Sequence, residues 1–300
     1  MGMGHDHTPG HAGGRHRWRL GVAFVLVAGY FGVELAAGLV SGSLALLSDA
    51  GHMAADVVAL GAALVATRIA RPDKTGRRTF GSYRVEVFAS GFTALLMLAV
   101  AVYVVVEAIA RTGDRVEVQT GPMLVVGGIG LLVNLVALAL LRDGAAESLN
   151  LKGAYLEVVA DTAGSVGVIV AGWLVAVTGQ VAWDTVVALA IGAFVAVRAV
   201  WLGRQVLAVL GQHAPAGIDV DRVSADLCEI AGVDGIHDLH LWTLTSGMHV
   251  ATAHVVTGDE ASVQPVLDQA RELLRQRHGI AHATLQLEPQ AHTSCAEIDW

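Results

Sequence analysis

Charge is scarce in this sequence of 300 residues, of which only 15% are Asp, Glu, Lys or Arg, whereas ordinary soluble domains carry about 25%. Hydrophobic residues make up 54% and the mean hydropathy is +0.58, which excludes a soluble globular chain and a disordered one. Cysteine is limited to Cys228 and Cys295, so a disulfide scaffold is excluded as well. The remaining class is a protein that crosses a membrane several times.

Positive charge is scarce in the last third of the sequence. Residues 1–204 contain 15 Lys and Arg against 14 Asp and Glu, whereas residues 205–300 contain 4 against 13. We interpret the last third as a separate, acidic, water-soluble unit. Its charge argues against a nucleic-acid partner, because such proteins neutralise phosphates with Lys and Arg.

Six apolar runs are long enough to cross a membrane, because a hydrocarbon core about 30 Å thick needs about 20 helical residues. The runs cover residues 20–40, 44–69, 85–109, 123–141, 154–178 and 183–202. The first run is long, contains Glu34 and is followed by five more, so it is not a cleaved signal peptide. We therefore predict a transmembrane domain of six helices over residues 18–204.

Arginine and lysine in the loops predict the orientation. One side of the membrane receives twelve of these residues and the other only Arg111 and Arg115, and cytoplasmic loops carry the excess. Both termini are therefore predicted in the cytoplasm, with residues 1–17 as a flexible, histidine-containing tail. Lysine is limited to Lys74 and Lys152, a bias associated with GC-rich bacterial genomes, which suggests a bacterial inner membrane.

Two of the six runs contain several ionisable residues. Asp49, His52 and Asp56 lie in the second run, and Glu157 and Asp161 lie in the fifth. A charge at the bilayer centre costs about 2.5 to 3.5 kcal/mol, so each needs a reason. The spacing places each set on one stripe of its helix, since residues four apart are neighbours.

The two stripes lie at similar depths in their helices, so His52, Asp56, Glu157 and Asp161 are predicted to meet near the middle of the membrane. One imidazole and three carboxylates supply the four N and O ligands of a tetrahedral divalent cation. The alternative is a set of hydrogen bonds that only joins two helices, although small residues achieve this at lower cost.

Two segments resemble signatures of the cation diffusion facilitators: residues 43–56, SLALLSDAGHMAAD, and residues 153–161, GAYLEVVAD. The resemblance extends over nearly the whole chain. It implies efflux of a divalent metal from the cytoplasm in exchange for protons, with His52, Asp56, Glu157 and Asp161 as transport ligands. The metal would be cargo, and no cofactor is expected.

Glu157 departs from the pattern of the zinc-transporting relatives, which usually have histidine at this position. Glutamate resembles the branch associated with cobalt, zinc and cadmium resistance, so the choice among Zn²⁺, Cd²⁺ and Co²⁺ stays open. Because ligands must lose protons to bind metal, the same carboxylates would carry protons on the return step. For Asp49 two interpretations stay open: a proton relay or support beside the ligands, and a helix-packing hydrogen bond.

Residues 205–290 are predicted to form a small α/β domain with the element order α-β-β-α-β, followed by a tail over residues 291–300. The order resembles the metallochaperone-like cytoplasmic domain of the family, which implies a homodimer. By the same resemblance, His237 and His254 match metal-binding positions, and Glu288 lies where relatives can have a carboxylate. A regulatory or structural metal and ordinary solvated histidines are equally favoured here.

Three other functions were weighed against efflux. An intramembrane metalloenzyme would also need a histidine and carboxylates, but the sequence has no His-Glu-x-x-His motif, nucleophile elbow or phosphate loop. A metal-gated channel would move metal without regard to the proton gradient. A metal sensor that transports nothing does not explain charges at the bilayer centre. We therefore expect a transporter and not an enzyme.

Overall fold

The computed structural model describes residues 17–69, 79–111, 117–145, 149–258 and 263–288. Within these residues the chain forms eight helices and three strands. The six long helices are α1 (Arg17–Ser41), α2 (Leu44–Ile69), α3 (Arg84–Ala110), α4 (Thr120–Ala145), α5 (Leu149–Thr178) and α6 (Ala182–Leu210). The shorter elements are α7 (Val220–Cys228), β1 (Val233–Thr245), β2 (Met248–Thr257), α8 (Val263–His278) and β3 (His282–Glu288).

The predicted six spans are confirmed, because α1 to α6 are each long and apolar enough to cross a membrane. Large apolar side chains cover their outer surfaces, such as Leu95 with 68% and Val197 with 69% of the side chain exposed. Such a surface matches lipid, which solvates apolar side chains without cost. The protein is therefore a multi-pass membrane protein.

Helix α6 extends to Leu210, eight residues beyond the apolar run that ends at residue 202. Gly203, Arg204 and Gln205 interrupt the run. They do not interrupt the helix, because its backbone hydrogen bonds do not depend on apolar side chains. Hydropathy thus locates the membrane-crossing part of a helix and not the end of its hydrogen bonding.

The chain divides into two compact units, the first with residues 1–72 and 89–203 and the second with residues 73–88 and 204–300. In the first unit, α1 packs along α2 and α4 packs along α5. Its core contains Leu44, Leu46, Val104, Met123 and Val168, all fully buried. Helices α2 and α5 are also in contact, which brings the two polar stripes to one place.

The second unit contains a three-stranded sheet in the order β1-β2-β3. Strands β1 and β2 are antiparallel, whereas β2 and β3 are parallel and connected through α8. Val223 and Leu227 of α7 and Leu274 of α8 pack with the sheet in one core. The predicted order α-β-β-α-β is confirmed, and Asp219 caps α7 by accepting hydrogen bonds from the Asp221 and Arg222 amides.

Candidate metal centre

Helices α2 and α5 bring His52, Asp56 and Asp161 together. One ligand atom from each lies within 4.8 Å of the other two, and we name this group the transmembrane cluster. The His52 Nε2 atom lies 3.2 Å from the Asp161 Oδ1 atom. His52 is buried, whereas Asp56 and Asp161 are half-buried. The four-residue spacing of His52 and Asp56 aims both side chains from α2 toward α5.

Glu157 lies on α5 one helical turn before Asp161. Its side chain lies outside the described part of the structure, so its role as a fourth ligand stays a prediction. The three described groups already offer imidazole nitrogen and carboxylate oxygen, which are the ligands that zinc and neighbouring divalent metals accept.

Arg198 of α6 is a member of this site that sequence reasoning missed. Its Nη1 atom lies 2.9 Å from the His52 Nε2 atom, and its guanidinium carbon lies 5.9 Å from the centre of the Phe194 ring. A signal was present, because Arg198 falls inside the predicted sixth span, where a charge is as costly as the carboxylates. Counting arginines only in loops left it out.

Asp49 lies one turn before His52 on α2 and is 6% exposed, beside Glu34 of α1, which is 1% exposed. Gly164 of α5 makes room for Asp49, because a Cβ atom there would lie 2.6 Å from the Asp49 Oδ1 atom. Helices α1 and α2 thus each bury one carboxyl group close to the transmembrane cluster.

Asp184 at the start of α6 anchors the beginning of α2. Its fully buried carboxylate accepts hydrogen bonds from Ser43 Oγ at 2.6 Å and from the backbone amides of Leu44 and Ala45 at 2.6 and 3.2 Å. These are amides that a helix cannot satisfy by itself, and negative charge is favoured at this end. The anchor positions α2 and therefore His52 and Asp56. Sequence reasoning did not single out Asp184.

A second group of ligand atoms lies on the sheet of the second unit. His237, His254 and Glu288 each place one ligand atom within 4.8 Å of the others, and we name them the C-terminal cluster. Glu288 Oε2 lies 3.2 Å from His237 Nε2, and Glu288 Oε1 lies 2.8 Å from His254 Nδ1. Glu288 Oε1 also accepts a hydrogen bond of 2.8 Å from Gln286 Nε2.

The register of the sheet explains the C-terminal cluster. His237 of β1 is paired with His254 of β2, and His254 is paired in turn with Gln286 of β3. Glu288 follows two residues later, so it projects from the same face as Gln286. Two imidazoles and one carboxylate form a donor set that fits zinc, which leaves room for one further ligand.

Comparison with known proteins matches two family models to successive parts of the chain. The model of the cation efflux transmembrane domain matches residues 20–210, and the model of the cation efflux protein cytoplasmic domain matches residues 215–290. The chain belongs to the cation efflux family. The family resemblance inferred from residues 43–56 and 153–161 is thereby confirmed.

Three relatives of this cation efflux family member are similar over nearly their whole length. The metal cation efflux system protein CzcD of Cupriavidus metallidurans is 40% identical over 96% of this chain and 90% of that protein. The cadmium, cobalt and zinc/H(+)-K(+) antiporter of Bacillus subtilis is 33% identical, over 97% and 93% respectively. The zinc transporter ZitB of Escherichia coli is 35% identical over the same shares. Members of this family are transporters and not enzymes.

Proposed function

We propose that this protein exports divalent metal cations from the cytoplasm in exchange for protons, with Zn²⁺, Cd²⁺ and Co²⁺ as its cargo. The observation that carries the proposal is the transmembrane cluster, in which His52, Asp56 and Asp161 offer ligand atoms within 4.8 Å of one another. Its relatives are named for the efflux of metal, the transport of zinc and the exchange of cadmium, cobalt and zinc against protons and potassium.

The charge of the ligands links metal to protons. With Glu157 as the fourth ligand, one neutral imidazole and three carboxylates around a divalent cation leave a charge of about −1. Loss of the metal would leave about −3 in a medium of low dielectric constant, which is very costly. Protons that bind the same carboxylates remove this cost, so metal and protons alternate at one place while the helices rock around it.

Asp49 is proposed to assist the proton half of this exchange. Its carboxyl group is buried and lies one helical turn from His52. A buried carboxyl group at this distance can pass a proton to a neighbouring ligand. The open alternative is that Asp49 only makes a hydrogen bond that packs helices together.

The orientation and assembly are proposed on other grounds. The excess of arginine on one side of the predicted spans supports cytoplasmic termini in a bacterial inner membrane. The match of residues 215–290 to the family's cytoplasmic domain supports a homodimer formed through this domain. Its acidic character would make two copies repel each other until a cation reduces the charge.

The C-terminal cluster is proposed to bind a regulatory zinc ion. Glu288 is 4% exposed and contacts the rings of both His237 and His254, so its negative charge needs a cation among its neighbours. Protonated imidazole or a metal ion can supply this charge. Zinc bound by the three residues would link β1, β2 and β3 and so make their sheet more rigid.

Transport by the purified protein in lipid vesicles tests the main proposal. Zinc uptake, followed with a trapped fluorescent indicator, should require an imposed pH gradient. Asp161→Asn should abolish uptake, because it removes a charged ligand and keeps the size of the side chain. Thr162→Val is the matched control, since Thr162 Oγ1 donates to the Val158 carbonyl of its own helix.

Two results would contradict the proposal. Uptake by Asp161→Asn equal to that of the unmodified protein would remove Asp161 from the site. Metal flux that is indifferent to the pH gradient would indicate a metal-gated channel instead.

A further inference from the structure

Arg198 and Asp161 approach the same atom of the transmembrane cluster. The His52 Nε2 atom lies 2.9 Å from Arg198 Nη1 and 3.2 Å from Asp161 Oδ1. A guanidinium group is always positively charged and has only donors. Arg198 therefore places a fixed positive charge 2.9 Å from the nitrogen proposed as a metal ligand.

The same place is where a metal ion would bind. A histidine nitrogen coordinates zinc at about 2.0 to 2.1 Å. A metal ion on the Nε2 atom would therefore lie close to the guanidinium group, and the two positive charges would repel each other. Metal binding at this atom therefore requires Arg198 to move away.

Arg198 lies where a charged side chain without partners has a high free-energy cost. An arginine within a membrane helix costs about 2.5 to 3.5 kcal/mol on insertion scales, and Arg198 lies within the apolar helix α6. Its contact with His52 of the transmembrane cluster offsets part of this cost. The ring of Phe194, one turn earlier, lies 5.9 Å from the guanidinium carbon, which is within the range of a cation–π contact.

We propose that Arg198 is a tethered cation that occupies the imidazole end of the transport site when metal is absent and withdraws when metal binds. This inference rests on the proposed function, and it adds that Arg198 competes with the metal ion for the site. Arg198 lowers the affinity for metal and helps to displace metal on release. It also keeps the empty site from holding the full charge of its carboxylates.

A purely supporting role predicts the opposite sign. If Arg198 only orients the His52 ring and stays in place when metal binds, its removal would loosen the ring and weaken metal binding. Competition and support are therefore separated by the direction in which the affinity changes.

The experiment measures zinc affinity and transport rate in Arg198→Gln and Arg198→Lys. All variants carry His237→Ala and His254→Ala, so that only the transmembrane site contributes. Zinc affinity is measured in detergent with a competing coloured chelator, and transport is measured in vesicles. Arg204→Gln is the matched control, because Arg204 is an exposed arginine six residues further along the same helix.

Competition predicts that Arg198→Gln binds zinc about tenfold or more tightly and transports it more slowly, because release loses its competitor. Arg198→Lys should lie between Arg198→Gln and the unmodified residue, since the charge is kept but the rigid fork of donors is lost. Arg204→Gln should bind and transport like the parent. Unchanged or weaker zinc binding in Arg198→Gln would overturn the proposal.

Two further variants separate this inference from the proposed function. His52→Ala and Asp161→Asn should lose zinc binding whether Arg198 is present or replaced by Gln. If both keep zinc binding, the proposed transport site is wrong. If both lose it while Arg198→Gln fails to tighten binding, only the tethered cation is wrong. Arg198→Lys, which keeps the positive charge, covers the case in which Arg198→Gln does not fold.

Discussion

The transmembrane cluster and the C-terminal cluster contain the same kinds of ligand with opposite burial. In the first, the His52 side chain is 4% exposed and that of Asp161 is 23% exposed. In the second, Glu288 is 5% exposed and the side chains of His237 and His254 are 25% and 27% exposed. The buried group is thus an imidazole among carboxylates in one site and a carboxylate between imidazoles in the other.

This difference in ligands suits one site to exchanging metal for protons and the other to keeping its metal. With Glu157 as the proposed fourth ligand, three carboxylates around a divalent cation would leave a negative site that must collect protons when metal departs. One carboxylate and two neutral imidazoles around the same cation leave a charge of about +1, and the empty site needs no more than one proton. The first arrangement suits a cycle between metal and protons, whereas the second suits a metal that stays.

The largest effect on transport is expected when a ligand of the transmembrane cluster is removed. Asp56→Asn should reduce zinc transport by about 100-fold or more, since even groups that only support metal ligands are worth 10- to 100-fold. It should leave zinc binding at the C-terminal cluster unchanged. Vesicle uptake and the number of zinc ions bound per chain measure the two effects. Loss of both bound ions would show that the sites are not independent.

Glu157→His should sharpen the comparison by making the transmembrane site more like the C-terminal one. Exchange of a carboxylate for imidazole makes the site less negative and favours the metals that accept nitrogen. We expect about a tenfold gain in zinc over cobalt, equivalent to about 1.4 kcal/mol. Competitive transport of Zn²⁺, Cd²⁺, Co²⁺ and Mn²⁺ in the same vesicles measures it. An unchanged preference would remove Glu157 from the ligands.

Asp49→Asn separates the proton half of the cycle from the metal half. A relay role predicts about a tenfold slower proton-coupled uptake with zinc affinity unchanged. Glu34→Gln should behave in the same way, because Glu34 is a second buried carboxyl group in the same part of the helix bundle. A packing role predicts instead that both variants lower the melting temperature while the rate per folded molecule is kept.

Glu288→Gln should have the smallest effect on transport, less than about threefold. It should nevertheless remove one bound zinc ion per chain, together with the rise in thermal stability that zinc gives. At a zinc concentration 100 times the Kd, this stabilisation is about 2.7 kcal/mol. Gln264→Ala is the control, since Gln264 is exposed and donates to Asp268 of its own helix, α8. Zinc stoichiometry equal to that of the unmodified chain would exclude a metal site here.

Much of the fold was predictable because it depends on short stretches of chain. Apolar runs of 20 or more residues predicted α1 to α6, and alternating and helical patterns predicted the element order of the second unit. The four-residue spacing of His52 and Asp56 predicted that both share one face of α2. The sixth apolar run ends at residue 202 whereas α6 continues to Leu210, because helical hydrogen bonding does not depend on apolar side chains.

The sequence by itself determined the number of spans, the polar stripes and the residue types available for metal, because these follow from hydropathy and helical periodicity along the chain. Only the tertiary structure decided that Arg198 reaches His52 and that Asp184 caps α2. Each of these contacts joins residues at least 140 positions apart in the chain. The relative rotation of the helices depends on the packing of the whole bundle, which no local pattern encodes.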